Sequence, residues 1–243
     1  MLTIMQKKVV APMKVDNAVD YHTTIAERFD RKYLENKDFI ERYEVWTKFI
    51  SRYAVAGGTA LDCGCGSGVF SSYLAEKGLS VVAFDASEEM IRLCRQKTIS
   101  NSGSIRFLQC KVEEFQNERE DGSDIIVCSS VLEYVEDFKA VLKKLSSLLK
   151  AKGLLIFSVP NADSLYRKVE AGVYRVAGFP RYYAYVKNIK CVAELRRDLD
   201  AVGLIPVDSQ YYGKTSYITE GLRVVLNKKR SDNLLLMVAQ KRD

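Results

Sequence analysis

The sequence predicts an α/β fold built on a doubly wound sheet that is mostly parallel and ends in an antiparallel strand. The first observation behind this prediction is that short apolar runs alternate with longer amphipathic stretches of helical spacing. The second is that Gly78 and Gly153 stand where helices should stop. The predicted strands are 58–63, 80–85, 104–110, 123–129 and 153–159, and the predicted helices are 67–78, 87–99, a short one near 112–117, and 136–150.

The segments on either side of this alternation have different patterns. Residues 17–53 carry apolar side chains at helical spacing, which predicts an N-terminal cap of two helices. After the fifth strand the alternation stops, and residues 162–190 are predicted to be an insertion that forms a lid. A helix and strands return in 191–243, with the last strand over 233–241.

The composition is that of a globular protein in water. Of the 243 residues, 47% are hydrophobic and 28% are charged, which suits a single domain over residues 1–243 with its binding core at 55–160. The longest apolar runs, GLLIFSV and LLLMVA, are much shorter than the ~20 residues of a membrane-spanning helix. The first residues lack the continuous apolar segment of a secretion signal, so we expect a cytoplasmic protein.

The positive charge is concentrated in one part of the chain. The net charge is +6, and residues 162–243 hold 15 Lys and Arg against 9 Asp and Glu, whereas residues 1–161 hold 22 of each. Such an excess is typical of a surface for an acidic ligand, a membrane or nucleic acid. Because the basic residues are scattered, a solvated face explains them equally well.

Six cysteines raise the question of disulfides or a metal. The sequence has no C-x-x-C pair, and four of the cysteines lie in apolar, strand-like runs. Buried reduced thiols are therefore expected, and no metal site is implied.

A glycine-rich turn follows the first predicted strand. In ALDCGCGSGVF, residues 60–70, Gly64, Gly66 and Gly68 alternate just before the next helix. Glycines there allow a tight turn and let a ligand touch the backbone at the carboxyl end of the sheet. The dinucleotide motif G-x-G-x-x-G would need glycine at Val69, so NAD and FAD are disfavoured. A phosphate-binding P-loop is disfavoured because no Gly-Lys-Ser/Thr ending is present.

An aspartate ends the second predicted strand, and its sequence separation from the glycine turn is the one that a nucleoside site requires. Asp85 lies 17 residues after Gly68 and 21 after Gly64, near the ~20-residue separation at which a carboxylate reaches ribose hydroxyls. The alternative is that Asp85 caps the next helix, although Ser87 is the better cap candidate.

These motifs, taken in order, resemble those of class I S-adenosylmethionine (SAM)-dependent methyltransferases. The family pattern D/E-x-G-x-G-x-G is similar to Asp62 with the three glycines, and FDAS, DIIVCSSVLEYVED and KGLLIFSVPN are similar to its later elements. The resemblance covers about residues 55–160. It implies a Rossmann-like fold with SAM as cofactor and S-adenosylhomocysteine as product.

The resemblance also implies roles for particular residues. Around the glycine turn, Gly64, Cys65 and Gly66 would line the methionine part of SAM, and Asp85 with Ala86 would meet the ribose. Ser129 and Ser130 would lie beneath the sulfonium. The chain departs from the family at Lys111, where many relatives have aspartate, so adenine would be held around Val112 or by Glu113.

Family detail favours a small-molecule acceptor. VLEYV and SVPN are similar to segments of ubiquinone-type and natural-product O-methyltransferases, although Tyr134 replaces a histidine found in many relatives. Enzymes that methylate base amino groups usually have D/N-P-P-Y/F after the fourth strand, where this chain has CSSV. Methyl transfer to an oxygen is therefore expected, and transfer to a nitrogen is less favoured. Two alternatives remain: a SAM-binding partner protein that catalyses no reaction, and an RNA methyltransferase.

Candidate side chains for the acceptor lie outside the core. His22, the only histidine, is a candidate base with an expected ionisation near 6.5, and Tyr21 and Tyr33 would line the site beside it. A surface histidine at a helix start is the alternative. The expected acceptor pocket is formed by Tyr134 of the core and by five aromatic residues of the insertion: Tyr174, Phe179, Tyr182, Tyr183 and Tyr185. Such apolar walls with polar tips suit an aromatic or lipid-like acceptor. Core packing of a lid explains these aromatic residues equally well, and the interleaved Arg175, Arg181 and Lys187 leave peripheral membrane contact open.

Overall fold

Seven strands form one sheet in the part of the chain that the structure, a computed structural model, describes: residues 15–97, 104–117, 121–213, 223 and 225–243. The strands are β1 (Thr59–Cys63), β2 (Ser80–Asp85), β3 (Ile105–Gln109), β4 (Ser123–Cys128), β5 (Leu149–Pro160), β6 (Leu204–Tyr212) and β7 (Leu234–Lys241). Their order is β3-β2-β1-β4-β5-β7-β6. Strands β1 to β5 pair in parallel and β7 runs antiparallel to both neighbours, which confirms the predicted fold class.

Helices cover the sheet and precede it. They are α1 (Ala18–Thr24), α2 (Ala26–Glu35), α3 (Lys37–Tyr53), α4 (Val69–Glu76), α5 (Glu88–Lys97), α6 (Phe138–Ser147), α7 (Leu165–Ala177), α8 (Val192–Asp200) and α9 (Lys228–Ser231), with a short 3-10 helix at Arg181–Tyr185. None of the helices within the described residues is long and apolar enough to cross a membrane.

Two apolar layers pack on opposite faces of the sheet. Along β4, Ile126 and Cys128 belong to one layer, whereas Ile125 and Val127 belong to the other. This two-residue period is the expected result of a strand whose faces are both covered. Strand order reverses between β1 and β4, and in such sheets the crevice outside the strand ends at the reversal is the usual ligand site.

The N-terminal cap has three helices, so the prediction of two helices was wrong. Ile25 leaves helical geometry with φ −109° and ψ 6° and separates α1 from α2. Asn36 then caps the start of α3, because its side chain accepts hydrogen bonds from the backbone N–H groups of Asp38 and Phe39.

Two other predicted elements differ from the structure. Residues 112–117 make only a turn, in which Glu114 and Phe115 donate backbone hydrogen bonds to the Lys111 carbonyl. The helix predicted over 136–150 ends at Ser147, because Leu149 already pairs with Ser123 as β5 begins. The predicted end of helix 87–99 and the N-terminal residues 1–14 lie outside the described residues.

The insertion leaves and rejoins the core at one point. Asn161, after β5, forms an isolated parallel bridge with Lys190, at the far end of the segment. Helix α7 and the 3-10 helix lie between these two residues, with Phe179–Pro180 in the cis form between them.

A buried hydrogen bond fastens the cap to the sheet, and its removal should be measurable. Trp46 Nε1 on α3 donates to the Tyr212 hydroxyl on β6 at 3.0 Å, and both side chains are buried. Tyr212→Phe should lower the free energy of unfolding by about 1–3 kcal/mol, because the indole N–H loses its acceptor without gaining water. Urea titration measures this loss. Tyr211→Phe, at a half-buried position on the same strand, is the control, and equal stability of the two variants would contradict the prediction.

Candidate active site

A cavity of about 1010 Å³ lies beyond the carboxyl ends of β1, β2 and β4, between the N-terminal cap and the insertion. Its walls include most of the residues singled out from the sequence: Tyr21, His22, Tyr33, Gly64, Cys65, Gly66, Asp85, Ala86, Lys111, Val112, Glu113, Ser129, Ser130, Tyr134 and Tyr182. The glycine turn, the β2 aspartate and the cap thus meet at one place.

The glycine turn has a backbone that other residues would strain. Gly64 and Gly66 have φ of 66° and 53°, a left-handed conformation that side chains disfavour. A Cβ on Gly64 would also lie 2.2 Å from Val131 Cγ2. The turn therefore presents bare backbone to the cavity.

Asp85 holds this turn in place. One carboxylate oxygen accepts the Gly66 N–H at 2.9 Å, and the other accepts the Ser87 N–H at 2.9 Å. Burial raises the pKa of Asp85, although both hydrogen bonds oppose the shift. The carboxylate thus joins the turn after β1 to the start of α5.

Two residues of the predicted cofactor motif lie outside the cavity lining. Asp62 is buried in β1, where it accepts a hydrogen bond from Ser71 Oγ at 2.6 Å, and burial raises its pKa to about 7. Gly68 is the N-cap residue of α4, and a Cβ there would lie 2.9 Å from Cys94 Sγ. Both residues support the turn from behind.

Arg42 is the main cavity residue that the sequence reading missed. From α3 it crosses to β4, where its Nη2 donates to the Ser129 carbonyl at 3.1 Å and to Ser129 Oγ at 2.6 Å. The Nε of Arg42 is buried and has no hydrogen-bond partner. The sequence does contain a pattern that could have identified Arg42: it stands at helical spacing from Phe39 and Trp46, on the apolar face of its helix.

The end of β4 carries unusual backbone geometry. Ser130 is a non-glycine residue with φ of 57°, and its N–H donates to Ser158 Oγ at 3.1 Å. A strained residue held by its surroundings is typical of a ligand site.

Glu133 is a buried acid that the sequence reading also missed. One of its carboxyl oxygens is buried without a partner, and burial raises its pKa to about 7 although Arg42 and Arg167 oppose the shift. Its carbonyl accepts N–H groups of Lys187 and Asn188 at 2.7 and 3.1 Å, which fastens the insertion to the β4 loop.

His22 lies inside an aromatic cluster of the cap. Its ring is 5.4 Å from that of Tyr134 and 6.0 Å from that of Phe29, and its Nε2 is buried without a partner. Burial, reinforced by Arg42 and Lys32, lowers the pKa of His22 to about 4. The pKa of His22 therefore lies below the expected value near 6.5, and the imidazole is neutral at physiological pH. His22 lines the cavity, in contrast to the alternative of a surface histidine.

The insertion turns only part of its aromatic side chains inward. Tyr182 lines the cavity, and its hydroxyl accepts from Arg167 Nη1 at 3.0 Å and donates to Glu170. Tyr174 and Tyr183 pack on each other, with ring centroids 5.1 Å apart, and Phe179 is 66% exposed. These last three lie outside the cavity lining.

Two cysteines, Cys65 and Cys110, line the cavity. The six cysteines, all within the described residues, form no disulfide, and Cys63, Cys65, Cys94 and Cys128 are buried. In the described ranges no group of three or more His, Cys, Asp or Glu side chains is arranged to hold a metal ion.

Comparison with solved structures defines the class of the fold. Magnesium protoporphyrin IX methyltransferase from Synechocystis PCC 6803, crystallised with bound SAH, matches with a TM-score of 0.70 at 18% identity over 91% of this chain and 96% of that one. N-methyltransferase NodS from Bradyrhizobium japonicum WM9, in complex with S-adenosyl-L-homocysteine, matches with a TM-score of 0.68 at 18% identity over 94% and 100%. The fold is the Rossmann-like fold of SAM-dependent methyltransferases.

Sequence comparison then gives the family. A family model described as a methyltransferase domain matches residues 35–205, so the chain belongs to the methyltransferase domain family. A ubiquinone biosynthesis O-methyltransferase of Xanthomonas campestris pv. campestris (strain B100) is 32% identical over 152 residues, which are 60% of this chain and 64% of that protein. The chain spans less than two thirds of the length of the first curated relatives that it matches.

The low pKa of His22 leads to a direct test. Because His22 is the only histidine, its imidazole signals in an NMR titration are unambiguous. The midpoint should lie near 4, and the free energy of unfolding should fall as the pH drops from 6.5 towards 4, since the unfolded chain takes up a proton that the folded one resists. His22→Gln should remove this part of the pH dependence. A midpoint near 6.5 would contradict the buried, neutral state.

Proposed function

We propose that this protein transfers a methyl group from SAM to an oxygen of a small aromatic or amphiphilic molecule. The observation that carries the proposal is the joining of the glycine turn and Asp85 at the rim of a large cavity, in a chain of the methyltransferase domain family. The 32% identical O-methyltransferase supports oxygen as the target.

The unpartnered polar atoms of the cavity suit a cofactor with both charged and hydroxyl groups. Arg42 Nε and Ser67 Oγ are buried without partners among residues that line the cavity. An ordered protein rarely leaves such atoms unsatisfied unless a ligand or water meets them. These residues therefore fit SAM, which supplies an electrophilic methyl group when bound.

Each part of SAM has a group of residues to hold it. The backbone at Gly64, Cys65 and Gly66 and the Arg42 guanidinium suit the methionine part, because a fixed cation recognises a carboxylate. Asp85 and Ala86 suit the ribose, and Lys111, Val112 and Glu113 suit the adenine. Ser129 and Ser130 form the floor under the sulfonium.

The acceptor would occupy the aromatic side of the cavity. His22, Tyr134 and Tyr182 supply flat walls with polar tips, and Tyr21 and Tyr33 extend them. Since His22 is neutral above a pH of about 4, its imidazole can accept a hydrogen bond from an acceptor hydroxyl. Such a low pKa makes it a weak base, so orientation of the reactants is the larger contribution to rate.

Transfer of radiolabelled methyl from SAM to pools of phenols, hydroxy acids, amines and RNA tests the proposal. We expect label in the phenol or other hydroxyl pools, with Asp85→Ala protein as the negative control. Label in the amine pool would mean that nitrogen is the target. Label in the RNA pool would mean that the acceptor is RNA and not a small molecule. SAM binding without transfer to any pool would favour a binding protein without chemistry.

The role of Asp85 gives a quantitative prediction. Asp85→Ala should weaken SAM binding by about 1.5–3 kcal/mol, as measured by calorimetry, because hydrogen bonds to a charged group are lost. Asp121→Ala, at an exposed aspartate, is the matched control. Circular dichroism should verify folding of the Asp85 variant, since Gly66 and Ser87 lose an acceptor. Affinity equal to the control in a folded variant would contradict the assignment.

A truncated cofactor can show whether Arg42 contacts the carboxylate of SAM or affects SAM binding only indirectly. Arg42→Met should weaken SAM binding by roughly tenfold or more, because the cofactor carboxylate loses a charge-assisted partner. Decarboxylated SAM lacks that group, so its affinity should change much less between wild type and variant. Equal losses for the two compounds would mean that Arg42 acts only through the β4 loop.

A further inference from the structure

Helix α7 exposes aliphatic side chains to solvent. Leu165, Val169, Val173 and Val176 are 40%, 63%, 45% and 91% exposed, and Phe179, just after the helix, is 66% exposed. At 100° per residue, the four helical positions fall within an arc of about 80°. They form one stripe, which we call the α7 stripe.

The stripe faces outward because polar contacts fix the opposite face. Arg167 and Glu170 are buried and joined at 2.6 Å, and Arg167 Nε also donates to the Asn233 carbonyl at 3.3 Å. A helix usually buries its apolar side. Here the ion pair lies inside and the aliphatic side lies outside, so the stripe remains available to a partner.

The surroundings of the stripe are cationic. Lys168 and Arg175 border it, Arg181 follows the helix, and Glu170, the only acidic residue of α7, is buried. A second cavity of about 480 Å³ adjoins the start of the helix, lined by Asp163, Leu165, Lys168, Asn227, Lys229 and Arg230. Lys229 is paired with Asp163 at 3.3 Å, and Lys168 and Arg230 add further positive charge.

We propose that the α7 stripe and the adjoining cationic cavity dock on a membrane that contains anionic phospholipids. Aliphatic side chains bordered by Lys and Arg are the arrangement that enters the boundary between head groups and acyl chains, and the cations meet the lipid phosphates. A second copy of the chain complements this face poorly, because cations would oppose cations across the contact.

The docking face adjoins the candidate active site. Arg167, on the inner side of α7, contacts Tyr182, and both residues line the large cavity. A protein docked in this way would hold the acceptor side of its cavity close to the lipid. The inference that docking brings an amphiphilic acceptor to the cavity rests on the proposed function, whereas docking itself does not.

Flotation of the full chain with vesicles tests the proposal. Wild-type protein should float with vesicles of phosphatidylcholine mixed with phosphatidylglycerol and not with phosphatidylcholine alone, and added salt should reduce flotation. Val176→Glu, and separately Lys168→Glu combined with Arg175→Glu, should each lower partition by about tenfold or more. Val55→Glu, at a valine that is 73% exposed elsewhere, and Lys143→Glu on α6 are the matched controls.

The outcomes separate docking from the proposed function. Normal SAM affinity by calorimetry in Val176→Glu, together with lost flotation, supports docking. Flotation that is absent in wild type, or that falls equally in the controls, overturns it. If wild type self-associates in ultracentrifugation, Val176→Glu does not, and neither floats, the face is an interface between copies. Loss of SAM binding in Asp85→Ala with unchanged flotation would show that the two sites act independently.

Discussion

The Asp85 carboxylate is the contact on which the candidate site depends. Two loops leave neighbouring parallel strands, and each would present an unpaired N–H at the sheet edge. Asp85 accepts both N–H groups, from Gly66 and from Ser87, with its two oxygens. An unsatisfied backbone donor in a buried place costs about 1–3 kcal/mol, so the same side chain stabilises the glycine turn and aligns it with the start of α5. The shape of the large cavity follows from this alignment.

The N-terminal cap is held at the same edge by long-range polar contacts. Thr23 Oγ1 donates to Ser87 Oγ at 2.8 Å, and Arg42 donates to Ser129. These two contacts join the cap to the loops after β2 and β4. Because the cap is held in this position, Arg42, Glu133 and His22 are buried. This burial raises the pKa of Glu133 and lowers the pKa of His22. The electrostatic character of the cavity is thus a property of the closed cap rather than of the sheet alone.

Local patterns in the sequence were sufficient for the fold class and for the glycine turn with Asp85, because the alternation of strands and helices and the spacing of these motifs can be read along the chain. They were insufficient for Arg42 and Glu133, whose importance comes from contacts across 87 residues in one case and from burial in the other. The aromatic residues of the insertion were only partly interpretable. Tyr182 lines the cavity but Tyr174 and Phe179 do not, since Tyr174 packs on Tyr183 and Phe179 is exposed, and neither feature can be read from the sequence pattern.

The bridge between Asn161 and Lys190 has a consequence for the evolution of this protein. Because the ends of the insertion already meet, the entropy of closing that loop changes only slowly with the number of residues between them. The segment can therefore be lengthened, shortened or exchanged as a cassette while β5 keeps its pairing with β7. The Glu133 carbonyl accepts the N–H groups of Lys187 and Asn188 just before this bridge, and it would still anchor the end of the segment wherever those two residues are kept. Selection could then remodel the wall that the insertion contributes to the cavity without disturbing the half bordered by the glycine turn.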